Sequence, residues 1–473
     1  MTAVAAPAFE GQGTKSYRAY ALMMLTVVYT FNFVDRGLIG ITQEALKHDL
    51  GVDDTQLGLL GGPAFAILYT LLGVPIARFA ERSNRITIIT VGAAVWSFMT
   101  AACGLAGNYM QLVVARVGVG IGEAACTPPS QSVLSDYFPS ARRATALAIY
   151  ALGIPIGTMI SAYVGSQLVA HGGEWFAFLE PSLRALGLHN NIDGAGHVAG
   201  WRTVFLALGL PGLLAALILK TTVREPPRSG IAKETPSFSA TLRAIAGKAS
   251  FWHIAIAGAL MSFVGYSTSQ FLVSYSVRTY GVTIEHAAAA LAIVAGVSVA
   301  LGTFFGGFLS DRLQRRFPTI ATWLPGAGIV VALPVYLLAF AAPDFNTAFM
   351  FLLIAPVFHY LYLGPMYAVS QSIVEPRMRA TTVALVLLIV NLIGYGLGPP
   401  TLGAVSDFLA NRELVSSGLS VAVCKAPGAH PAACTPAIAH GLRYAMMGVT
   451  CLLAWPMIHF FLAARSYLKD RVS

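Results

Sequence analysis

The sequence predicts an all-α integral membrane protein with twelve transmembrane helices in two six-helix bundles. Of its 473 residues, 56% are apolar and only 11% are charged, whereas soluble domains carry about 25% charged residues. Twelve apolar stretches are long enough to cross a bilayer, and two pairs of loop motifs repeat at nearly one offset. The 46 glycines follow no period and there are five cysteines, which excludes a collagen-like chain and a disulfide-rich secreted module.

The twelve predicted spans follow from length, because a hydrocarbon core of ~30 Å needs about 20 helical residues. The first apolar run is too long for the core of a signal peptide, so we expect an uncleaved first helix. The predicted spans, in chain order, are 17–44, 55–77, 86–106, 109–135, 144–170, 202–222, 251–277, 286–310, 319–342, 345–374, 380–407 and 441–464.

Lysine and arginine positions predict the orientation. With both termini cytoplasmic, the inside segments hold 21 of the 30 basic residues and the outside segments hold seven, as the positive-inside rule requires. Basic residues placed against anionic inner-leaflet lipid explain the net charge of +9 without nucleic acid. No segment offers the exposed basic surface interleaved with aromatic residues that RNA binding needs.

The two halves of the chain repeat. Glu81 to Arg85 ends span two, and Asp311 to Arg316 ends span eight 230 residues later; a second pair, 139–142 and 376–379, lies 237 residues apart. A polar segment with two prolines separates the halves. The predicted organisation is an N-terminal bundle at 1–222, a cytoplasmic linker at 223–249 and a C-terminal bundle at 250–473.

The run from Gly307 to Arg316 resembles the loop motif of the major facilitator superfamily. The first copy departs from that motif, with Ala77 in the glycine place and Glu81 for the aspartate. Further stretches resemble the spinster-like branch, whose members are associated with export of lysolipid and sphingosine-phosphate type molecules. These stretches are Asn32 to Arg36, Arg116 to Glu123 followed by Pro128, Asp136 to Pro139, and Trp201-Arg202.

Four formal charges lie well inside predicted spans of the first half, namely Asp35, Arg36, Arg116 and Glu123, whereas the charges of spans seven to twelve cluster at the span ends and their interiors carry none. A charge at a helix centre costs ~2.5–3.5 kcal/mol on insertion scales, so these four imply partners, water or function. Arg116 and Glu123 share one helix face about 10 Å apart along the axis. The family resemblance implies that spans one and four line the central cavity, where all four charges are within reach.

Two interpretations of these charges remain open. One is a buried salt-bridge lattice that fixes helix packing. The other is a proton-coupled switch, because burial favours a protonated carboxyl group while a nearby arginine favours the ionised one. In that case Glu123 is the first candidate for the proton carrier and Asp35 the second. Arg36 and Arg116 are then their partners, or anchors for an anionic headgroup, since a planar guanidinium binds phosphate bidentately.

Spans seven and ten supply aromatic and weakly polar groups opposite those charges. Most aromatic residues in such spans only fill space, but together with a charged first half they predict an amphipathic substrate cavity. A single histidine there is more typical of a satisfied packing residue than of a proton relay. The predicted cavity residues are Phe263, Tyr266, Gln270, Phe358, His359 and Tyr360.

By the family resemblance, the repeated loops form a cytoplasmic gate that stabilises the outward-open state; the alternative is a solvated basic cluster facing lipid. Cys424 and Cys434, ten residues apart in the last outside loop, are expected to form a disulfide if that side is oxidising. No Cys/His spacing indicates a metal site, and no cofactor is expected. The predicted gate residues are Glu81, Arg82, Arg85, Asp311, Arg312, Arg315 and Arg316.

Three functions remain after these observations. The first is a proton-coupled exporter of amphipathic lipid-like molecules, and the second is a multidrug or other small-organic-molecule antiporter or uniporter. The third, a lipid-modifying membrane enzyme, lacks a convincing nucleophile. The expected partners are a small amphipathic substrate, protons and membrane lipid. We expect a monomer in a bacterial inner membrane.

Overall fold

The computed structural model describes residues 13–80, 82–185, 187, 199–228, 238–375, 378–424 and 432–472. These residues form helices and no strands. The α-helices are α1 (Lys15–Leu50), α2 (Asp54–Gly61), α3 (Pro63–Ala80), α4 (Arg85–Leu105), α5 (Tyr109–Glu123), α6 (Thr127–Tyr137), α7 (Ser140–Ala151), α8 (Gly153–Trp175), α9 (Glu180–Ala185), α10 (Gly200–Thr222), α11 (Phe238–Ala246), α12 (Ala249–Tyr280), α13 (Ile284–Ile293), α14 (Val299–Leu313), α15 (Ile320–Ala341), α16 (Phe345–His359), α17 (Leu363–Ser372), α18 (Arg379–Ile389), α19 (Gly396–Ser416), α20 (Val421–Cys424), α21 (Thr435–Cys451) and α22 (Ala454–Asp470).

Eleven helical segments of the described chain are long and apolar enough to cross a membrane. The remaining predicted span, the fourth, at 109–135, is divided into α5 and α6 by a turn after Glu123. Pro128 and Pro129 follow that turn, and because proline has no backbone N–H, it cannot continue the hydrogen bonds of α5. The all-helical architecture confirms the predicted fold class.

The internal repeat extends to the helix ends. Gly51 caps the C-terminus of α1 and Gly281 that of α12, both with a left-handed backbone that glycine adopts without steric cost. These two glycines are separated by the same 230 residues as the first pair of loop motifs. Side-chain oxygens also cap corresponding helices, since Asn108 accepts from the N–H of Gln111 at α5 and Asp344 from that of Thr347 at α16.

The helices pack as a first half, α1–α10, and a second half, α12–α22. Within the first half α1 packs on α8 and α10, and α4 on α5 and α10; within the second, α12 packs on α21 and α22, and α15 on α16 and α22. The predicted linker contains the short helix α11, which packs on α12 and α18. We call the end of the bundle that holds Arg85 and Glu225 the linker face. The opposite end, which holds Lys47 and Arg278, is the distal face.

Candidate functional site

Two of the four intramembrane charges form an ion pair between α1 and the end of α5. Arg36 Nε donates to Glu123 Oε2 at 2.8 Å. Glu123 is fully buried, whereas the Arg36 side chain keeps 15% of its surface exposed. The pair therefore joins a buried carboxylate to a cation that a molecule in the centre of the protein can reach.

Three aromatic rings surround the Arg36 guanidinium. Its Cζ lies 4.7 Å from the ring centre of Phe33, 4.9 Å from that of Phe65 and 4.6 Å from that of Tyr69. A cation over an aromatic face is stabilised by about 0.5–2 kcal/mol, more when it is desolvated. These contacts help to hold Arg36 in a region where water is scarce.

The other two charges, Asp35 and Arg116, meet through the backbone. Arg116 Nη1 donates to the main-chain oxygen of Asp35 at 3.4 Å. Both side chains are buried, and among the described residues Asp35 Oδ1 and Arg116 Nε and Nη2 have no hydrogen-bond partner. Neighbouring Asn32 and Glu123 Oε1 also lack one. Since buried polar groups are nearly always satisfied, this cluster requires an explanation, and a functional role is one of those that such groups have.

Glycines let α5 approach its neighbours closely enough to build this site. A Cβ at Gly120 would lie 2.5 Å from the main-chain oxygen of Phe65, and one at Gly122 would lie 2.6 Å from the backbone nitrogen of Trp96. Real Cβ atoms do not approach other atoms so closely. The glycines before Glu123 therefore pack helices together, as expected for small residues at helix interfaces.

The predicted cavity residues of the second half occupy different environments. Tyr266 is 38% exposed, while Phe263 is buried and Phe358 and Tyr360 are half-buried. His359 is buried, and its Nε2 donates to the main-chain oxygen of Met261 at 3.1 Å. The structure thus places Tyr266 toward open space and His359 within the packed interior.

Two tyrosines absent from the predicted site lie between the halves. Tyr69 contacts Arg36, and the Tyr395 ring lies 4.4 Å from that of Tyr266 and 5.4 Å from that of Phe65. Tyr395 ends a π-helical segment, Val390–Tyr395. Such segments often mark functional sites, but the sequence gives no sign of them.

A second group of buried charges joins the halves at the distal face. The buried Asp54 carboxylate accepts from Lys47 Nζ at 2.8 Å, from both terminal nitrogens of Arg278 at 2.8 and 3.0 Å, and from Ser406 Oγ at 2.7 Å. Arg278 Nε also donates to Glu44 Oε1 at 2.9 Å. α1 and α2 of the first half are thereby tied to α12 and α19 of the second.

A carboxylate from the second half caps a helix of the first. Asp407 Oδ2 accepts from the backbone N–H of Thr55 at 2.7 Å and from its Oγ1 at 2.6 Å, and Asp407 Oδ1 accepts from the N–H of Asp54 at 3.2 Å. Negative charge is favourable at a helix N-terminus, here that of α2. We call these residues the distal lock: Glu44, Lys47, Asp54, Thr55, Arg278, Ser406 and Asp407.

The sequence did not predict the distal lock, because Lys47 and Arg278 stand out in it only as basic residues of the outside segments. Gln270, predicted to line the cavity, also joins the halves, since its Nε2 donates to the main-chain oxygen of Leu57 at 3.0 Å. Among the described residues, all hydrogen bonds and ion pairs between the halves lie toward the distal face. The structure is therefore closed at that face.

The predicted gate residues make no contact of this kind between the halves. Arg85 is buried and pairs with Asp136 of α6 and, at 2.6 Å, with Glu225. Both partners precede α11, so neither belongs to the second half. Glu81 lies outside the described residues. The remaining predicted gate residues are exposed and make no ion pair with other described residues: Arg82, Asp311, Arg312, Arg315 and Arg316.

Cys424 and Cys434 are joined by a disulfide in the structure, with 5.8 Å between their Cα atoms. Both are buried in a small cluster with Leu414 and Ala437. In the part of the chain that the structure describes, no three His, Cys, Asp or Glu residues are grouped so that they could hold a metal ion.

Comparison with known proteins agrees with this architecture. The sequence model of the Major Facilitator Superfamily matches residues 25–399. An "MFS-type efflux pump" from Mycolicibacterium smegmatis is 30% identical over 402 residues, which cover 83% of this chain and 86% of that protein. Protein spinster homolog 1 from Xenopus laevis is 22% identical over 83% of this chain and 74% of its own length.

Solved structures of transporters are also similar to this chain. A bacterial homologue of the human lysosomal transporter Spinster, in inward-facing unoccupied and occupied conformations, is 40% identical. It covers 98% of this chain and 100% of its own, with a TM-score of 0.87. A D-xylose-proton symporter, 16% identical with a TM-score of 0.66 over 96% of this chain and 100% of its own, shares the fold. The chain therefore belongs to the major facilitator superfamily and is a spinster-like secondary transporter rather than an enzyme.

Proposed function

We propose that the protein is a proton-coupled exporter of amphipathic lipid-like molecules, of the lysophospholipid or sphingosine-phosphate class, that works by alternating access. The observation that carries the proposal is the Arg36–Glu123 pair. It joins a partly accessible cation to a fully buried carboxylate at 2.8 Å. An anionic headgroup can therefore reach the same guanidinium that stabilises the charge of Glu123.

Competition for Arg36 couples substrate to protons in this proposal. A phosphate that binds the guanidinium draws it away from Glu123, and a buried carboxylate without its cation favours the protonated form. Return of Arg36 to Glu123 favours release of the proton. Asp35, buried nearby with Oδ1 unpaired, is the second candidate carrier, and Arg116 is a further anchor for the headgroup.

The two sides of the central region suit an amphipathic ligand. The first half contributes all four intramembrane charges, whereas the facing side contains Tyr266 and Tyr395 together with apolar side chains. A headgroup binds on the Arg36 side and its chain lies against the second half. Similarity to spinster proteins supports a lipid-like substrate, and the efflux pump from Mycolicibacterium smegmatis supports export.

The proposed setting is a bacterial inner membrane with both termini cytoplasmic and the protein acting as a monomer. The 21 to 7 distribution of basic residues supports this orientation. The distal face is then external, and the closed distal lock corresponds to an inward-open state. The exposed loop charges at the linker face would form the cytoplasmic gate in the opposite state.

The alternative is an antiporter or uniporter of drugs or other small organic molecules. The 30% identity to the efflux pump from Mycolicibacterium smegmatis favours it, since a site that combines rings with two carboxylates also accepts organic cations. The two functions differ in the charge of the ligand, because an anionic headgroup binds Arg36, whereas an organic cation binds the rings and carboxylates instead.

Transport by the purified protein in liposomes distinguishes them. A panel of lysophospholipids, sphingosine phosphate and cationic dyes is measured with and without a pH gradient. We expect transport of anionic or zwitterionic lipids that depends on the gradient and is abolished in Glu123→Gln. Glu180→Gln is the control, because it removes a half-buried carboxylate that pairs with Arg184 of its own helix, α9. Unchanged proton dependence in Glu123→Gln would exclude Glu123 as the carrier, and transport of dyes alone would favour the alternative.

A further inference from the structure

We propose that a groove on the outer side of α4 and α5 binds an acyl chain of an anionic bilayer phospholipid, with its headgroup at Lys220. This lipid is a stable partner of the first half and is not the transported substrate. The groove has a volume of ≈ 420 Å³ and is bounded by α3, α4 and the end of α5.

The walls of the groove are apolar and face outward. They include Phe79 of α3, Val91 and Val95 of α4, and Ile121 of α5. Phe79 is 63% exposed and Val91 56% exposed, so these side chains have no covering protein group. In a membrane, the occupant of such a surface is lipid.

Small residues create the floor of the groove. A Cβ at Gly92 would lie 2.6 Å from the Ala125 Cβ and 2.7 Å from the main-chain oxygen of Gly122. The backbones of α4 and α5 therefore touch at this level, while the larger side chains on either side stand above them. The result is a channel between helices rather than a flat surface.

The mouth of the groove at the linker face is polar and positively charged. Ser83, Asn84 and Thr87 line it. Lys220 Nζ donates to Thr87 Oγ1 at 2.6 Å, and Arg228 donates to the main-chain oxygen of Ser83 at 2.9 Å. Two cations therefore contact the residues of the rim, which suits a phosphate headgroup and contributes about 1 kcal/mol per basic residue near an anionic surface.

The length of the groove fits a chain from one leaflet. From Asn84 to Val95 along α4 is about 16 Å, close to half of a ~30 Å hydrocarbon core. The groove lies on the outside of α5, whereas Glu123 at the end of α5 is fully buried and paired with α1. An acyl chain here would support the helix that carries Glu123 without entering the central region.

Native mass spectrometry of the purified protein tests the proposal with phosphatidylglycerol, phosphatidylethanolamine and phosphatidylcholine of identical chains. We expect preferential retention of one phosphatidylglycerol, and about five-fold less preference in Lys220→Gln, the factor that corresponds to ~1 kcal/mol. Lys469→Gln removes another exposed lysine of a helix end and is the matched control. Equal losses in the two variants, or no preference in the unaltered protein, would overturn the headgroup site.

A second pair of variants tests the groove itself. Val91→Phe fills it, whereas Val330→Phe enlarges a side chain of similar exposure on α15 of the second half. We expect Val91→Phe to lose the retained lipid and Val330→Phe to keep it, with both eluting as folded protein in size-exclusion chromatography. Equal lipid retention by the two variants would overturn the chain-binding site.

Discussion

Replacing Asp407 by alanine should open the distal face. The Asp407 carboxylate accepts three hydrogen bonds from Asp54 and Thr55 of the other half. A bond to a charged group contributes about 1.5–3 kcal/mol, and the cap alone contributes about 0.5–2 kcal/mol. Repulsion from the neighbouring Asp54 carboxylate reduces this sum, and so does the non-additivity of neighbouring hydrogen bonds. We therefore expect Asp407→Ala to destabilise the distal-closed state by about 2–4 kcal/mol. That corresponds to a shift of roughly 30- to 900-fold toward the distal-open state.

Pulsed electron spin resonance measures this shift. Labels are placed on cysteines at Glu174 of α8 and Arg412 of α19, which are exposed toward the distal face, in a background where the exposed Cys451 is alanine. Asp407→Ala should move the distance distribution to longer values. Asp344→Ala is the control, because Asp344 caps its own helix α16 with similar bonds. An unchanged distribution in Asp407→Ala, or equal changes in both variants, would refute the reasoning.

Two further predictions concern the central site. Arg36→Ala should weaken binding of an anionic lipid at least ten-fold more than that of a neutral analogue, because it removes the accessible guanidinium; equal losses, measured by tryptophan fluorescence titration, would indicate a structural role. Gly120→Ala should lower thermal stability by the ~1–3 kcal/mol typical of overpacking, because its Cβ would meet the backbone of Phe65. Gly448→Ala should leave thermal stability unchanged, because no atom lies within 4 Å of the Cβ that it adds. Equal melting temperatures of the two variants would argue against the close contact between α3 and α5.

Spans, repeat and intramembrane charges could be predicted because each depends on local sequence. Apolar length defines a span, and a charge such as Glu123 stands out against apolar neighbours. The division of the fourth span was missed, although Pro128 and Pro129 lie within it. Their effect on the helix is local, so the signal was present.

The pairing of charges could not be predicted, because it depends on how distant segments pack. Arg36 and Glu123 are 87 residues apart, and Asp54 and Asp407 are 353 apart. Asp407 falls at the end of a predicted span, where a charge is ordinary. Only the approach of α2 to α19 makes it a cap, and that approach requires Gly403, whose Cβ would lie 2.1 Å from the main-chain oxygen of Asp54.

α1 connects the central site to the distal lock. It runs without a break from Lys15 to Leu50 and carries Arg36 as well as Lys47 of the lock. The two side chains are eleven residues apart, about 16 Å along the helix axis. A continuous helix of this kind moves as one body, so release of Arg36 from Glu123 should displace Lys47 and weaken the lock.

A double-mutant cycle tests this coupling. Glu123→Gln, Asp407→Ala and the combined variant are compared by the same spin-label distances, which report the free energy between distal-closed and distal-open states. Sites this far apart without coupling add within about 0.3–0.5 kcal/mol. We expect an interaction energy above about 1 kcal/mol, because Glu123→Gln acts on α1, which carries Lys47, while Asp407→Ala frees α2, which carries the Asp54 partner of Lys47. Additive effects would mean that the pair and the lock respond to substrate and protons independently, and that another helix carries the signal.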